Sequence, residues 1–586
     1  MLSTKKSVII NSLFTQCRTS LPNKYFMQNN MFLKDFPVVV FVELSQLYQQ
    51  ILQMYGRLFK EPEKVLEKHL LDLMNRGYSF EEALHELYKR AYAYFYLPSL
   101  SIGELFKISW NRFKRNPALA VPILLSEAAP ALTTLIILIV LFALIQWFQS
   151  IGIYSKIVES LVEGKYEILG SPGVFELIIA AITTVAVSSL LLYALGISMC
   201  DSFLYTLSEE ALKRGSCVFE NVWGKAVKVL PRMFLTNIAK GLAIYGVPVV
   251  GLVAFILYTK DSPTILILGI LTLLLIAIVY IFLLQLALIY VTPSIVIGSK
   301  RIANAFLESF SLFKKTALKI LAYFIIQVAV VTAVSLITAA LNLLNVLFSE
   351  AATLAILLVV RPVFSLCLAG MYMAHTNRIF DVRTLPEPRL SHTAVRLLVN
   401  GFREICNLAR DIKWITAASL VFIAGFAGGY WITTQGLSKI ISQFVGLEKG
   451  GIVFERYLPV SIFADIFFHN WRIAAFTSVS GVYSIAAPAT IVLVNGIILG
   501  AVAAVLPFTD FYVAIMPHGI VEIPGFILAA AAGMRLAYQL LARKEKASYI
   551  KRAAYIALGL APFFAVAAFI ETFITPFFIK LYLKSL

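Results

Sequence analysis

Charge is scarce in this chain. Only 14% of its 586 residues are Asp, Glu, Lys or Arg, while 59% are hydrophobic, and the mean hydropathy is +0.82. That balance excludes an ordinary soluble domain and fits an all-α, polytopic helical membrane protein. Cysteine is sparse too. Cys17, Cys200, Cys217, Cys367 and Cys406 are scattered with no CxxC pair, so neither a disulfide framework nor a cysteine zinc site is indicated. No HExxH, no GxSxG and no other nucleophile–base pairing is present, so no enzyme and no cofactor is expected. The first residues lack the pattern of a cleaved signal peptide, and the first span is expected to direct insertion.

What charge there is leans basic, with a net +17. The lysines and arginines cluster between apolar runs, where the positive-inside rule wants them, so the expected partner is the lipid bilayer and not nucleic acid. Three regions are expected. Residues 1–100 form a helical N-terminal region on the inner side: an amphipathic helix over 37–59, then a hairpin. In it Arg76-Gly77 stops a helix over 63–75, and Ser79 with Glu82 makes a capping box for the next. Residues 101–385 form a six-span domain, with apolar runs at about 118–147, 175–200, 234–258, 264–292, 318–346 and 352–374. Glu127, Lys240 and Arg361 interrupt these runs in their outer parts, where a long side chain can snorkel to an interface; a structural polar contact is expected of them, with a substrate path as the alternative. Basic amphipathic stretches at 102–116, 219–233 and 302–317 precede successive pairs of spans and read as helices lying in the headgroup layer.

After a polar break at 376–413, residues 386–586 add five segments: 414–434, 471–487, 489–507, 517–541 and 553–579. A long polar segment, 435–469, follows the first of them. The turn SIAAP between the second and third carries no charge, which allows either a re-entrant hairpin or two crossings. The sum is about eleven membrane segments. The segments 201–233, 300–319 and 542–552 are rich in Lys and Arg while alternate loops are poor, which puts the N-terminus inside and the C-terminus outside.

The polar residues of the second half converge in this topology. His518 and Glu522 are one turn apart on the stretch MPHGIVEIPGFILAAAAG, read as a helix with Pro517 in its first turn. Asp465, His469, Asn470 and Arg472 stand at the entry of the short hairpin, and Glu571 lies far up the last span. All are expected in the outer third of the membrane, with Glu522 or Glu571 matched by Arg472 or by histidine N–H groups. Three readings are open: a polar clamp holding helix ends, a path for a small solute or ion, or a metal site using His518, Glu522 and His469. The HxxxE spacing alone does not define a metal site, and none is expected. Asn495-Gly496 reads as a kink or hydrogen-bonding point, and Gly496 with Gly500, like Gly519 and Gly533, as a helix-packing surface.

Residues from about 400 to 580 resemble the stage II sporulation protein M family. The resemblance rests on FHNWRIAAFTSVSGVYS (468–484), VNGIILG (494–500), PHGIVEIPGFILAAAAG (517–533) and FIETFIT (569–575). It marks Asn470, Asn495, Gly496, His518, Gly519, Glu522, Gly533 and Glu571 as characteristic positions. It implies a five-span membrane protein; the founding member acts as a membrane anchor with peptidoglycan hydrolases during forespore engulfment. The front half resembles, by layout, the six-span membrane domain of some glycerophosphodiester phosphodiesterases, without their catalytic domain. The expected function is a non-enzymatic scaffold or remodelling component of the cell membrane, acting with unidentified membrane or envelope proteins. The alternative is a transporter or permease with its polar site in the outer third.

Overall fold

The computed structural model describes residues 38–56, 61–75, 78–154, 156–157, 171, 173–259, 263–344, 346–383, 386, 390–434, 459–542 and 546–585. Residues 1–37, the Arg76-Gly77 stop and most of the polar segment 435–469 lie outside them. Every regular element among the described residues is helical, as the composition requires.

The chain divides into two compact units. One comprises the residues up to Ile108 together with Cys367–Arg383. Its helices Val38–Gly56, Pro62–Asn75 and Phe80–Ala91 bury a shared core that includes Tyr48, Ile51, Tyr55, Leu66, Leu70, Leu84 and Leu87. The expected capping box is formed: Glu82 N donates to Ser79 Oγ at 3.3 Å, and Ser79 N donates to Glu82 Oε2 at 3.0 Å. Within the same unit the Tyr92 hydroxyl donates to the Phe380 carbonyl at 2.8 Å and accepts from Val382 N at 3.3 Å. Burial pushes that phenol's pKa up, so it stays a donor.

The other unit comprises Ser109–Leu366 and Thr384–Leu586. Most of the six-span stretch and all of the five-segment stretch therefore form one body. Among the described residues ten helices are long and apolar enough to cross a membrane: Pro117–Ser150, Val174–Arg214, Phe219–Thr259, Leu266–Val296, Ile302–Leu343, Ser349–His375, Ile412–Ile432, Ala486–Val505, Phe508–Ala542 and Lys546–Tyr582. An eleventh helix, Pro459–Ser480, fills the place expected for 471–487. It starts twelve residues earlier than its apolar run, because Asp465, His469, Asn470 and Arg472 find partners inside the body and need not end the helix. At 1.5 Å per residue it is about 33 Å long, and its neighbour Ala486–Val505 about 30 Å; both lengths suffice for a crossing. The uncharged turn between them packs against protein: Gly481 abuts the backbone at Gly533, and the Tyr483 hydroxyl donates to the Leu125 carbonyl at 2.8 Å.

Two of the three amphipathic stretches are not separate helices. Residues 219–233 run on into Phe219–Thr259, broken only by a π turn at Leu242–Gly246, and 302–317 run on into Ile302–Leu343, broken by Thr316 at φ −127°, ψ 19°. Only Ile102–Arg115 stands alone. Pro231 lies inside the first of these helices without ending it, as an interior proline can in a packed membrane helix, and Ile302–Leu343 contains neither proline nor glycine.

Helix pairs in the second half close on small residues. Added Cβ atoms at Gly425 and Gly429 would run into the backbone of Leu493 and Ile497, and ones at Gly496 and Gly500 into that of Phe422 and Phe426. Four glycines thus interlock Ile412–Ile432 with Ala486–Val505 at backbone contact. Gly533 is likewise closed in by the Thr477 carbonyl and Pro488. Gly401 and Gly559 abut each other, bringing the amphipathic helix Leu390–Ala409 against Lys546–Gly559. Gly519 differs from the packing role expected of it. A Cβ there would meet only Ile515 and Ile523 of its own helix, at 3.6 and 3.5 Å.

Candidate functional site

The helix Pro459–Ser480 presents two polar faces. Asp465, His469 and Arg472 follow one another at four and three residues and share a side. That side meets the start of Ser349–His375. Asp465 Oδ1 accepts from Ser349 Oγ at 3.1 Å and from Glu350 N at 3.2 Å, satisfying a donor at a helix start. The Glu350 carboxylate takes Arg472 at 2.9 Å (Nη1 to Oε2) and 3.2 Å (Nη2 to Oε1), and His469 Nδ1 at 3.1 Å. Of the expected matches for Glu522 or Glu571, Arg472 is corrected: it serves Glu350, as does His469, while the histidine that lies with the two glutamates is His518. Glu350 stands in the short stretch between two apolar runs, where the sequence gives no sign of a partner.

The other face carries Asn470, whose amide donates to Glu522 Oε1 at 3.2 Å. Glu522 and His518 lie on Phe508–Ala542 and Glu571 on the π turn Ile570–Ile574 of the last helix. One ligating atom from each of the three lies within 4.8 Å of the others. Thr575, buried, places its hydroxyl 3.4 Å from His518 Nδ1. His518, Glu522, Asn470 and Glu571, expected together, are together. His469, Arg472 and Asp465 form the neighbouring site on the opposite face. Asn495 joins neither: its amide donates to the Ile491 carbonyl of its own helix at 2.9 Å.

The helix bearing His518 does not begin at Pro517. It begins at Phe508, after Pro507, whose carbonyl accepts from Phe511 N at 2.9 Å, and both Pro517 and Pro524 are interior. Interior prolines persist in membrane helices because neighbours supply the lost contacts. Counted from Phe508, Glu522 stands about 21 Å along its helix, and Glu571 about 21 Å before the end at Ser585, which brings the two to one level. That is deeper than a start at 517 implies.

A second chain of charges crosses the front half of the same unit. Arg361 lies in the field of Glu127 and of Asp201, Lys240 in that of Asp201, and Arg472 also acts on Glu127. Asn237 donates to Asp201 as well. Glu127, Lys240 and Arg361 thus stand in the fields of opposite charges within the protein, which suits the polar-contact role expected of them. Asp201 was missed, standing at the end of the second apolar run where it read as a loop residue.

These features define the class: an all-helical, multi-pass membrane protein whose intramembrane polar groups face one another across packed helices. Residues 418–576 match the family model described as Stage II sporulation protein M. The chain matches no curated protein and no solved structure.

Proposed function

We propose that the protein is a non-enzymatic membrane scaffold of the cell membrane, built on a stage II sporulation protein M-type domain and working with partner proteins. The observation that supports this reading is the pairing of the polar residues. Glu350 pairs with Arg472 and His469, Asp465 accepts from the start of the helix that bears Glu350, and Asn470 holds Glu522, while four glycines lock Ile412–Ile432 to Ala486–Val505 at backbone contact. A transporter needs a water-accessible cavity near the midplane lined by such residues; a scaffold needs them engaged.

Cysteine labelling separates the two. With the native cysteines removed and His518→Cys introduced, a small impermeant thiol reagent is expected to leave position 518 unmodified. A control Phe508→Cys, at an exposed helix start, labels readily. Labelling of 518 at a rate within ten-fold of the control would favour a solute path and end the scaffold reading.

A further inference from the structure

We propose that His518, Glu522 and Glu571 bind a divalent first-row metal ion between Phe508–Ala542 and the last helix of the chain. The site supplies one imidazole nitrogen and two carboxylate oxygens, with ligating atoms already within 4.8 Å of one another. Ligands on one tetrahedral ion at about 2.1 Å stand about 3.4 Å apart, so small side-chain rotations close the set. A nitrogen-plus-oxygen set without thiolate suits Zn²⁺, Mn²⁺ or Fe²⁺.

Charge balance is the first argument. Two carboxylates side by side within membrane helices require a compensating positive charge or a shared proton. Among the described residues neither Glu522 nor Glu571 has an ion pair, and Arg472, the cation on the adjoining helix, is held by Glu350. Orientation is the second. The Asn470 amide holds Glu522 Oε1 and leaves Oε2 free; the Thr575 hydroxyl stands at His518 Nδ1 and leaves Nε2 free. Partners of this kind fix metal ligands in place. The third lies on the last helix. Glu571 sits on a π turn, which re-aims side chains and recurs at functional sites. The structure replaces His469, the third ligand considered from sequence, with Glu571.

The test uses the full chain purified in detergent, stripped with EDTA and exposed to Zn²⁺ or Mn²⁺ alone. Elemental analysis after desalting is expected to find about one equivalent per wild-type chain, under a tenth of that in Glu571→Gln and Glu522→Gln, and at least ten-fold weaker binding in His518→Ala. Equal metal content in wild type and the Gln variants would overturn the proposal. Should the variants not fold, the wild type decides alone. Its Tm is expected to fall on stripping and to rise by about 2 °C or more on re-addition of the metal at 100 times its Kd. A Tm indifferent to both steps would mean that the carboxylates share a proton. The site is independent of the scaffold reading, since metal content needs neither partner nor solute.

Discussion

The two faces of the helix Pro459–Ser480 each meet glutamate from another helix and reach opposite balances. On one, Glu350 meets Arg472 and His469 and its charge is answered within the protein. On the other, Glu522 and Glu571 lie together beside Asn470, His518 and Thr575, with no ion pair to either among the described residues. Residues 469 and 470 are neighbours in sequence, yet they serve different sites because successive helix positions point about 100° apart. Composition alone therefore does not say which carboxylate an arginine serves. The sequence offered Arg472 to Glu522 or Glu571, and packing gave it to a glutamate 122 residues away in the chain.

The largest expected effect comes from breaking the balanced face. Arg472→Ala leaves Glu350 facing packed helices without its cation, and removal of one partner of such a pair costs about 3–5 kcal/mol. Unfolding of the purified protein in detergent should show that loss. The double variant Arg472→Met with Glu350→Gln should recover more than half of it, since no charge is then stranded. If Arg472→Ala costs less than about 1 kcal/mol, the face is wetter than the structure implies and the contrast with the second face collapses.

A smaller effect tests what separates the two faces. Gly481 touches the backbone at Gly533, which fixes how near the polar helix lies to Phe508–Ala542. A Cβ at 481 has no flexible side chain to push aside, and overpacking of this kind costs about 1–3 kcal/mol. Gly481→Ala should therefore lower the stability measurably and shift the environment of Glu522, while leaving the Glu350–Arg472 pair intact. Crosslinking between cysteines placed at 470 and 522 reports the spacing; unchanged yield would mean that the glycine contact does not set it. Gly519→Ala, where only its own helix is near, serves as the silent control and should change the stability by less than about 0.5 kcal/mol.

How much of this was legible beforehand follows from the physics of each signal. Long apolar runs announce membrane helices one at a time, so the spans and the convergence of His518, Glu522 and Glu571 at one level were readable by counting residues. Where helices end was less so. Pro517 looked like a helix start, but Pro507 precedes the true start, because an interior proline is tolerated when neighbouring helices compensate. The same limit hid the length of Pro459–Ser480: its polar residues looked like an exposed entry until partners elsewhere in the chain appeared. Which polar groups pair depends on which helices touch. The glycines Gly425 and Gly429, spaced four apart opposite Gly496 and Gly500, were a readable signal that went unused. Asp201 and Glu350 carried no local signal, since a lone acid beside a span reads as a loop residue.

A carboxylate in water completes the comparison at its low end. Glu82 is exposed, and its two hydrogen bonds, from Ser79 N at 3.0 Å and Ser79 Oγ at 2.8 Å, hold its pKa below the usual value. A depressed carboxylate stabilises the folded state above its unfolded pKa, and that contribution is lost as the pH falls through the folded one. Ser79→Ala removes the cap, at about 0.5–1 kcal/mol for an exposed helix start. The difference in stability between wild type and Ser79→Ala should be flat above about pH 5 and should narrow on acidification, as Glu82 takes up its proton in both proteins. Thermal unfolding of the full chain at a series of pH values measures it. A difference that widened at low pH would mean that the cap acts through something other than this carboxylate. It would also remove the solvent-exposed reference against which the two faces of Pro459–Ser480 are judged.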